Sequence, residues 1–85
     1  MTQKHVCARI ADSLLYLRDH YGMEEDGCTL RIKLSREDMA SLSNMTTNNA
    51  IRTLSLLARD KVVAINGRNI KLLDEKELER ISRMG

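Results

Sequence analysis

The sequence predicts a mainly α-helical fold with a small β-sheet (α+β), specifically a winged helix-turn-helix. Two observations carry this prediction. Residues 35–60 read as two helices separated by a short polar turn. Asn66-Gly67 then stands between two short apolar runs, 62–65 and 70–73. Asn-Gly is the strongest short-range signal for a β-hairpin because both residues accept a positive φ. A helix-turn-helix followed at once by a hairpin is the element order of this fold.

At 85 residues the chain is one small domain with little core to spare. The spacing of apolar and turn-forming residues predicts five elements. These are a leading helix over 1–21, a strand over 28–34, a helix-turn-helix over 35–60, a wing hairpin over 62–73 and a C-terminal helix over 74–84.

The leading helix is predicted from apolar residues that recur every three or four positions. They are Val6, Ile10, Leu14, Leu17 and Tyr21. Arg18 is expected on the solvent side, and Gly22 is placed to cap the helix C-terminus. Between 28 and 34, apolar and polar residues alternate, which predicts a half-buried strand.

The helix-turn-helix is predicted from its capping residues. Ser35 with Asp38 resembles a capping box at the start of the first helix. Asn44 suits a left-handed turn position, and Thr46 is a good N-cap for a second helix over about 47–60. Asp74 is a similar cap for the final helix.

In the hairpin we expect a type I′ turn at Asn66-Gly67. Ile65 would then oppose Arg68 and Val63 would oppose Ile70. The apolar residues of both strands would share one face, against the helices. They are Val63, Ile65, Ile70 and Leu72. Arg68 would lie at the hairpin tip.

Charge is unevenly distributed along the chain. The net charge is only +2, but residues 31–71 hold eight basic and three acidic side chains, which leaves −3 for the remainder. A basic middle is expected of a protein that binds phosphates, although a charged stretch alone is usually a solvated face.

The second motif helix is predicted to read DNA, since such helices enter the major groove N-terminal end first. The candidate base contacts are Thr47, Asn48, Ile51, Arg52 and Ser55. Arginine can bind guanine bidentately, and an aliphatic side chain can meet a thymine methyl group. Ile51 could equally be a half-buried helix residue. The candidate phosphate contacts are Ser35, Arg36, Thr46, Asn66, Gly67 and Arg68.

Other classes of protein are disfavoured. Aromatic residues make up only 2% of the chain, so it lacks the platforms on which single-stranded bases stack. No nucleophile–base pair or glycine-rich phosphate loop indicates an enzyme. Cys7 and Cys28 lack zinc-site spacing, and we expect no metal and no cofactor in this chain. Without a long apolar run or signal peptide, the protein is expected to be cytoplasmic and away from membranes.

The alternative function is a winged helix that binds another protein.

Four segments resemble the C-terminal DNA-binding domain of the CRP/FNR family of bacterial transcription regulators. Residues 9–15, Arg-Ile-Ala-Asp-Ser-Leu-Leu, resemble its R-I-A-x-x-L-L helix entry. Residues 34–40 resemble its (I/L)-(S/T)-R-x-(D/E)-(I/L)-(A/G) segment, residues 46–54 its recognition helix, and residues 65–68 its wing. The resemblance runs from about residue 9 to residue 73. Each segment is weak alone, but together their order and spacing are specific.

The resemblance implies a homodimer on a palindromic operator of double-stranded DNA, with RNA polymerase as a further partner. It also implies that Arg52 is the recognition arginine. Thr47 and Asn48 replace a pair that is charged in many members, so the resemblance does not predict the common half-site. Asn44 replaces the usual turn glycine. The family's effector-binding β-barrel and dimerisation helix are absent, and the leading helix begins without a cap. The chain is then either a fragment of a longer regulator or a stand-alone domain. We expect the fragment, and an effector would bind an N-terminal domain.

Overall fold

A computed structural model describes residues 2–84 of the chain, with side chains from residue 5 onward. Helices and strands follow in the predicted order, except that no strand forms over 28–34. The elements are α1 (Thr2–Tyr21), α2 (Arg36–Leu42), α3 (Thr47–Arg59), β1 (Val63–Asn66), β2 (Asn69–Leu72) and α4 (Glu75–Met84). Within this part of the chain, no helix is long and apolar enough to cross a membrane.

The core is aliphatic and lies where α1, α3, α4 and the hairpin meet. Ile10, Leu14 and Leu78 have no exposed surface, and Leu54 and Leu57 are each 3% exposed. These residues recur at helical spacing on their elements, so each helix turns one apolar stripe inward. Tyr21, expected on the stripe of α1, is instead exposed at the last residue of the helix.

Arg18 links α1 to α4, and the prediction that it faces solvent was wrong. Its side chain is 23% exposed, and its Nη1 lies 2.8 Å from Glu75 Oε1 and 3.5 Å from Glu79 Oε2. The two carboxylates belong to α4, so the pairing depends on tertiary packing. Burial lowers the pKa of Arg18, but hydrogen bonds to Glu75 and Asp19 outweigh it and leave the pKa raised.

In place of the strand predicted over 28–34, the chain forms an irregular segment that runs alongside β2. Leu72 N–H donates to Cys28 O, Leu30 N–H donates to Ile70 O, and Leu34 N–H donates to Arg68 O. The first two hydrogen bonds fit one antiparallel register. Between the second and the third bond, however, this segment contains two more residues than the strand opposite. This break interrupts the ladder and leaves only isolated bridges. The predicted alternation of burial is nevertheless present, with Leu30 buried and Ile32 and Leu34 packed on the core.

The hairpin forms with a different turn from the one predicted. Ile65 pairs with Ile70 and Asn66 pairs with Asn69, so the turn residues are Gly67 and Arg68. Gly67 has φ +63°, and Arg68 keeps a negative φ. A type II′ turn needs positive φ only at its first central residue, which glycine supplies, and it adds one residue pair to the ladder. The predicted opposition of Ile65 to Arg68 and of Val63 to Ile70 was therefore wrong.

The inward face of the hairpin is as predicted, because directly opposed residues share a face in either register. Val63 pairs with Leu72 and Ile65 pairs with Ile70. Val63, Ile70 and Leu72 are buried, and Ile65 is partly buried against the core.

Candidate nucleic-acid interface

The first motif helix, α2, begins with a complete capping box. Ser35 Oγ accepts from Asp38 N–H at 3.1 Å, and Ser35 N–H donates to Asp38 Oδ2 at 3.1 Å. This exchange satisfies two helix donors that would otherwise lack partners. The backbone N–H of Ser35 is thus used internally, and its hydroxyl proton remains for an outside acceptor.

The turn between the motif helices is a Schellman motif with asparagine at the position usually held by glycine. Asn44 has φ 56°, as predicted for a left-handed residue. Met45 N–H donates to Ala40 O, and Asn44 N–H donates to Ser41 O, which gives the two bonds of the motif. Thr46 then caps α3, its Oγ1 accepting from Asn49 N–H at 3.2 Å. Local hydrogen bonds therefore set where α2 ends and where α3 begins.

The recognition helix, α3, has one buried and one exposed face. Its buried residues are Ala50, Thr53, Leu54 and Leu57. Four of the five predicted base contacts are exposed, namely Asn48, Ile51, Arg52 and Ser55, and Thr47 is half-buried at the first turn. Ile51 is 41% exposed, which favours the interpretation of this residue as a surface contact. The predicted base contacts thus lie on the solvent side of a helix that the core holds in place.

The arginines near this face have no carboxylate partners among residues 5–84. Arg52, Arg59 and Arg68 are exposed and form no ion pair there. By contrast, Arg18 and Arg80, which lie outside the basic middle, are paired with carboxylates of α4. The cations of the helix-turn-helix and the wing therefore remain available to an anionic ligand.

Two hydrogen bonds hold the turn of the motif against α1. Ser13 Oγ and Ser43 Oγ are buried and lie 2.7 Å apart, and Arg9 Nη1 donates to Asn44 O at 3.3 Å. These two hydrogen bonds between α1 and the turn were not predicted from the sequence. A signal was present at Ser13, which lies three residues after Ile10 and therefore on the inward stripe of α1.

At the wing tip, the predicted phosphate contacts Asn66, Gly67 and Arg68 are all exposed. Two hydrogen bonds join the tip to residues at, and just before, the start of α2. Arg36 Nη1 donates to Gly67 O at 3.2 Å, and Leu34 N–H donates to Arg68 O at 3.2 Å. The wing tip therefore lies beside the start of α2, which brings these predicted phosphate contacts together.

Both cysteines are free thiols of intermediate burial. Burial raises the pKa of the Cys7 thiol, and the negative charge of Asp60 raises it further. A raised pKa lowers the thiolate fraction and makes the sulfur less nucleophilic. Within the described residues, no group of three or more histidine, cysteine, aspartate or glutamate side chains could hold a metal ion.

Comparison with known families gives one match that covers most of the chain. The sequence pattern of the family described as "Crp-like helix-turn-helix domain" matches residues 8–81. A search of curated proteins found no match.

Solved structures of regulators are similar in fold. TTHA1359 from Thermus thermophilus, a transcriptional regulator of the CRP/FNR family, is 26% identical with a TM-score of 0.83 and covers 93% of this chain. TTHB099 from the same organism, a CRP-family transcriptional regulator, is 29% identical with a TM-score of 0.80 and covers 92%. The Thermus thermophilus catabolite activator protein, at 21% identity and a TM-score of 0.83 over 96% of this chain, shows the shared fold. The chain spans 41%, 40% and 36% of the lengths of these three proteins.

Proposed function

The chain belongs to the Crp-like helix-turn-helix family, whose members are DNA-binding domains of transcription regulators and not enzymes, and we propose that it binds double-stranded DNA sequence-specifically. In this proposal α3 enters the major groove and the wing tip lies on the phosphate backbone. The observation that carries it is the exposed face of α3, whose arginines lack carboxylate partners within residues 5–84.

Base reading is assigned to the first turns of α3. Arg52 has both guanidinium edges available and can bind O6 and N7 of a guanine bidentately. Asn48 can do the same for N6 and N7 of an adenine, and Ile51 can contact a thymine methyl group. Thr47 and Ser55 are the remaining proposed base contacts. This face differs from a winged helix that binds proteins, which would present apolar or acidic side chains.

Phosphate contacts are proposed on both sides of that face. Arg68 supplies a full charge at the wing, and the backbone N–H groups of an exposed turn can add to it. Hydroxyl groups that already accept a capping bond retain a proton to donate. The proposed set is Ser35, Arg36, Thr46, Asn66, Gly67 and Arg68. These contacts fix the orientation of the domain and make its affinity depend on salt.

We further propose that the chain acts as part of a longer homodimeric regulator on a palindromic operator, with RNA polymerase as a second partner. The comparison proteins are more than twice as long as this chain, which supports the longer form. An effector would then bind outside these residues, and no cofactor is assigned to them.

Site selection from a random DNA library, followed by an Arg52→Ala variant, tests the assignment of base reading. Loss of a bidentate contact should weaken binding to the preferred site by about 1–3 kcal/mol and relax the preference at one base position. Arg80→Ala is the matched control, because Arg80 pairs with Glu77 on α4 and should not alter the preference. An equal loss on all sequences would show that Arg52 contacts only phosphate.

A further inference from the structure

We propose that Arg36 is a positioning residue that sets the place of the wing, and that the contact of Arg68 with DNA depends on it. This inference rests on the proposed function, since it concerns how one phosphate contact supports another. It starts from a single long-range contact, in which Arg36 Nη1 donates to Gly67 O at 3.2 Å across 31 residues of chain.

The Gly67 carbonyl that Arg36 binds does not take part in the hydrogen bonds of the hairpin turn. In a two-residue turn, the closing hydrogen bond joins the residues that flank the turn, here Asn66 and Asn69. The carbonyl of the first central residue, Gly67, is left outside that bond. A charged donor is a strong partner for it, because hydrogen bonds to ionised groups exceed neutral ones.

The surroundings of the contact pack the base of the wing closely but leave its tip in open space. The junction between α2 and the wing encloses only about 10 Å³, lined in part by Leu34, Met39 and Ile65. That volume is at the lower limit for one water molecule. At the tip itself, however, no heavy atom outside the neighbouring residues lies within 4 Å of the place a Gly67 side chain would occupy. Packing holds the base of the wing, and hydrogen bonds hold its tip.

Arginine suits this role because its guanidinium has five N–H donors in a planar fork. One arm can remain on Gly67 O while the other faces a phosphate. Arg68 O keeps its own hydrogen bond from Leu34 N–H at 3.2 Å. Arg68 nevertheless follows Gly67 directly, so a shift of the Gly67 carbonyl turns the peptide that joins the two residues and reorients the Arg68 side chain. Removing Arg36 should therefore remove two phosphate contacts, its own and that of Arg68.

The first arm of the test uses the free chain, without DNA. Amide ¹⁵N relaxation is measured at Gly67 and Arg68 in the wild type and in Arg36→Met, which keeps the length of the side chain but not its donors. The variant should lower the order parameters at the tip from near 0.85 toward 0.6 or below, while amides of α3 keep their values. Arg83→Met, which removes an exposed arginine of α4, is the matched control and should leave the tip unchanged.

The second arm measures the salt dependence of DNA binding for Arg36→Met, Arg68→Ala and the double variant. Each lost phosphate contact lowers the slope of log affinity against log salt by about 0.9. Arg68→Ala should lower it by about one, and Arg36→Met by about two. The double variant should match Arg36→Met, because the second change has no contact left to remove.

The outcomes separate this inference from the proposed function. Unchanged tip amides together with additive slopes, one for each single variant and two for the double variant, would overturn the positioning role of Arg36. If the wild type shows no salt-dependent binding, the proposed function fails, and the relaxation arm still decides whether Arg36 holds the wing.

Discussion

The recognition helix and the wing tip are held by different kinds of contact. Ala50, Leu54 and Leu57 of α3 are each no more than 3% exposed. The tip is exposed and is tied to the motif by hydrogen bonds on Gly67 O and Arg68 O. Burial of one leucine stabilises by about 1.5–3 kcal/mol, and α3 buries two leucines. A hydrogen bond contributes about 0.5–1.5 kcal/mol between neutral groups and about 1.5–3 kcal/mol with a charged donor such as Arg36. The core therefore fixes the helix more firmly than the surface bonds fix the tip.

This difference matches the tasks proposed for the two regions. Hydrogen bonds to base edges need short distances and good angles, so their donors belong on a rigid element. Attraction between an arginine and a phosphate falls only slowly with distance. A wing held by a few bonds can adjust to the backbone of the duplex, provided that its charge stays near it.

The largest expected effect comes from breaking the support of α3. Leu54→Ala should lower the free energy of unfolding by about 2–5 kcal/mol, because it leaves a cavity in a closed core. Urea unfolding followed by circular dichroism measures it. Ile51→Ala is the control on the exposed face of the same helix and should change stability by less than about 0.5 kcal/mol. A similar small loss for Leu54→Ala would contradict the claim that the core positions α3.

The next effect concerns the hydrogen bond between Ser13 of α1 and Ser43 at the turn of the motif. Ser13→Ala leaves the buried Ser43 hydroxyl without its partner at 2.7 Å and should cost about 1–3 kcal/mol. The double variant Ser13→Ala/Ser43→Ala removes both polar groups and should cost less than the sum of the single changes. Additive losses in urea unfolding would show that the two serines act independently.

A smaller effect, of opposite sign, is expected at the end of α3. Lys61 has φ 62°, where a Schellman motif usually holds glycine. Lys61→Gly relieves about 1–2 kcal/mol of left-handed strain and loses about 0.5–1 kcal/mol to chain entropy, for a gain of up to about 1.5 kcal/mol. Lys61→Gln removes the charge but keeps the strain, so it should show no gain in a thermal melt. An equal gain in both variants would assign the effect to charge.

The smallest effect is a change in stability at acidic pH, and it concerns Asp26 beside the wing. Hydrogen bonds from the Thr29 side chain and from the N–H groups of Thr29 and Cys28 lower the pKa of Asp26 to about 2. Because its pKa is lowered on folding, the contribution of Asp26 to stability is present above the ordinary value of 3.8 and is lost as pH falls through about 2. Carboxyl ¹³C shifts should titrate near 2 in the wild type and nearer the ordinary value in Thr29→Val. A wild-type midpoint near 3.8 would contradict this account.

Sequence reasoning succeeded at the helix caps and at the turn between the motif helices, where the signal is local. The caps at Ser35, Thr46 and Asp74 and the left-handed turn at Asn44 depend on residues within three or four positions, and the structure contains each of them. These features set the relation of α2 to α3, and so most of the candidate site.

Most of the errors lie where distant segments meet, and one lies in the hairpin turn. The strand over 28–34 had the right alternation, but its pairing with β2 shifts by two residues, which no local pattern reveals. The turn moved by one residue because Gly67 takes the first central position, where a type II′ turn needs its only positive φ. Arg18 and Arg36 find partners 57 and 31 residues away, in α4 and in the wing. A single sequence holds no direct record of such contacts.

The most direct test of DNA binding through the exposed basic face is a fluorescence-anisotropy titration of the chain with a random-sequence duplex at several salt concentrations. Log affinity should fall linearly with log salt, and Arg68→Ala should lower the slope by about one without affecting one sequence more than another. Absence of binding at the lowest salt would contradict the account and leave the protein-binding winged helix as the better interpretation.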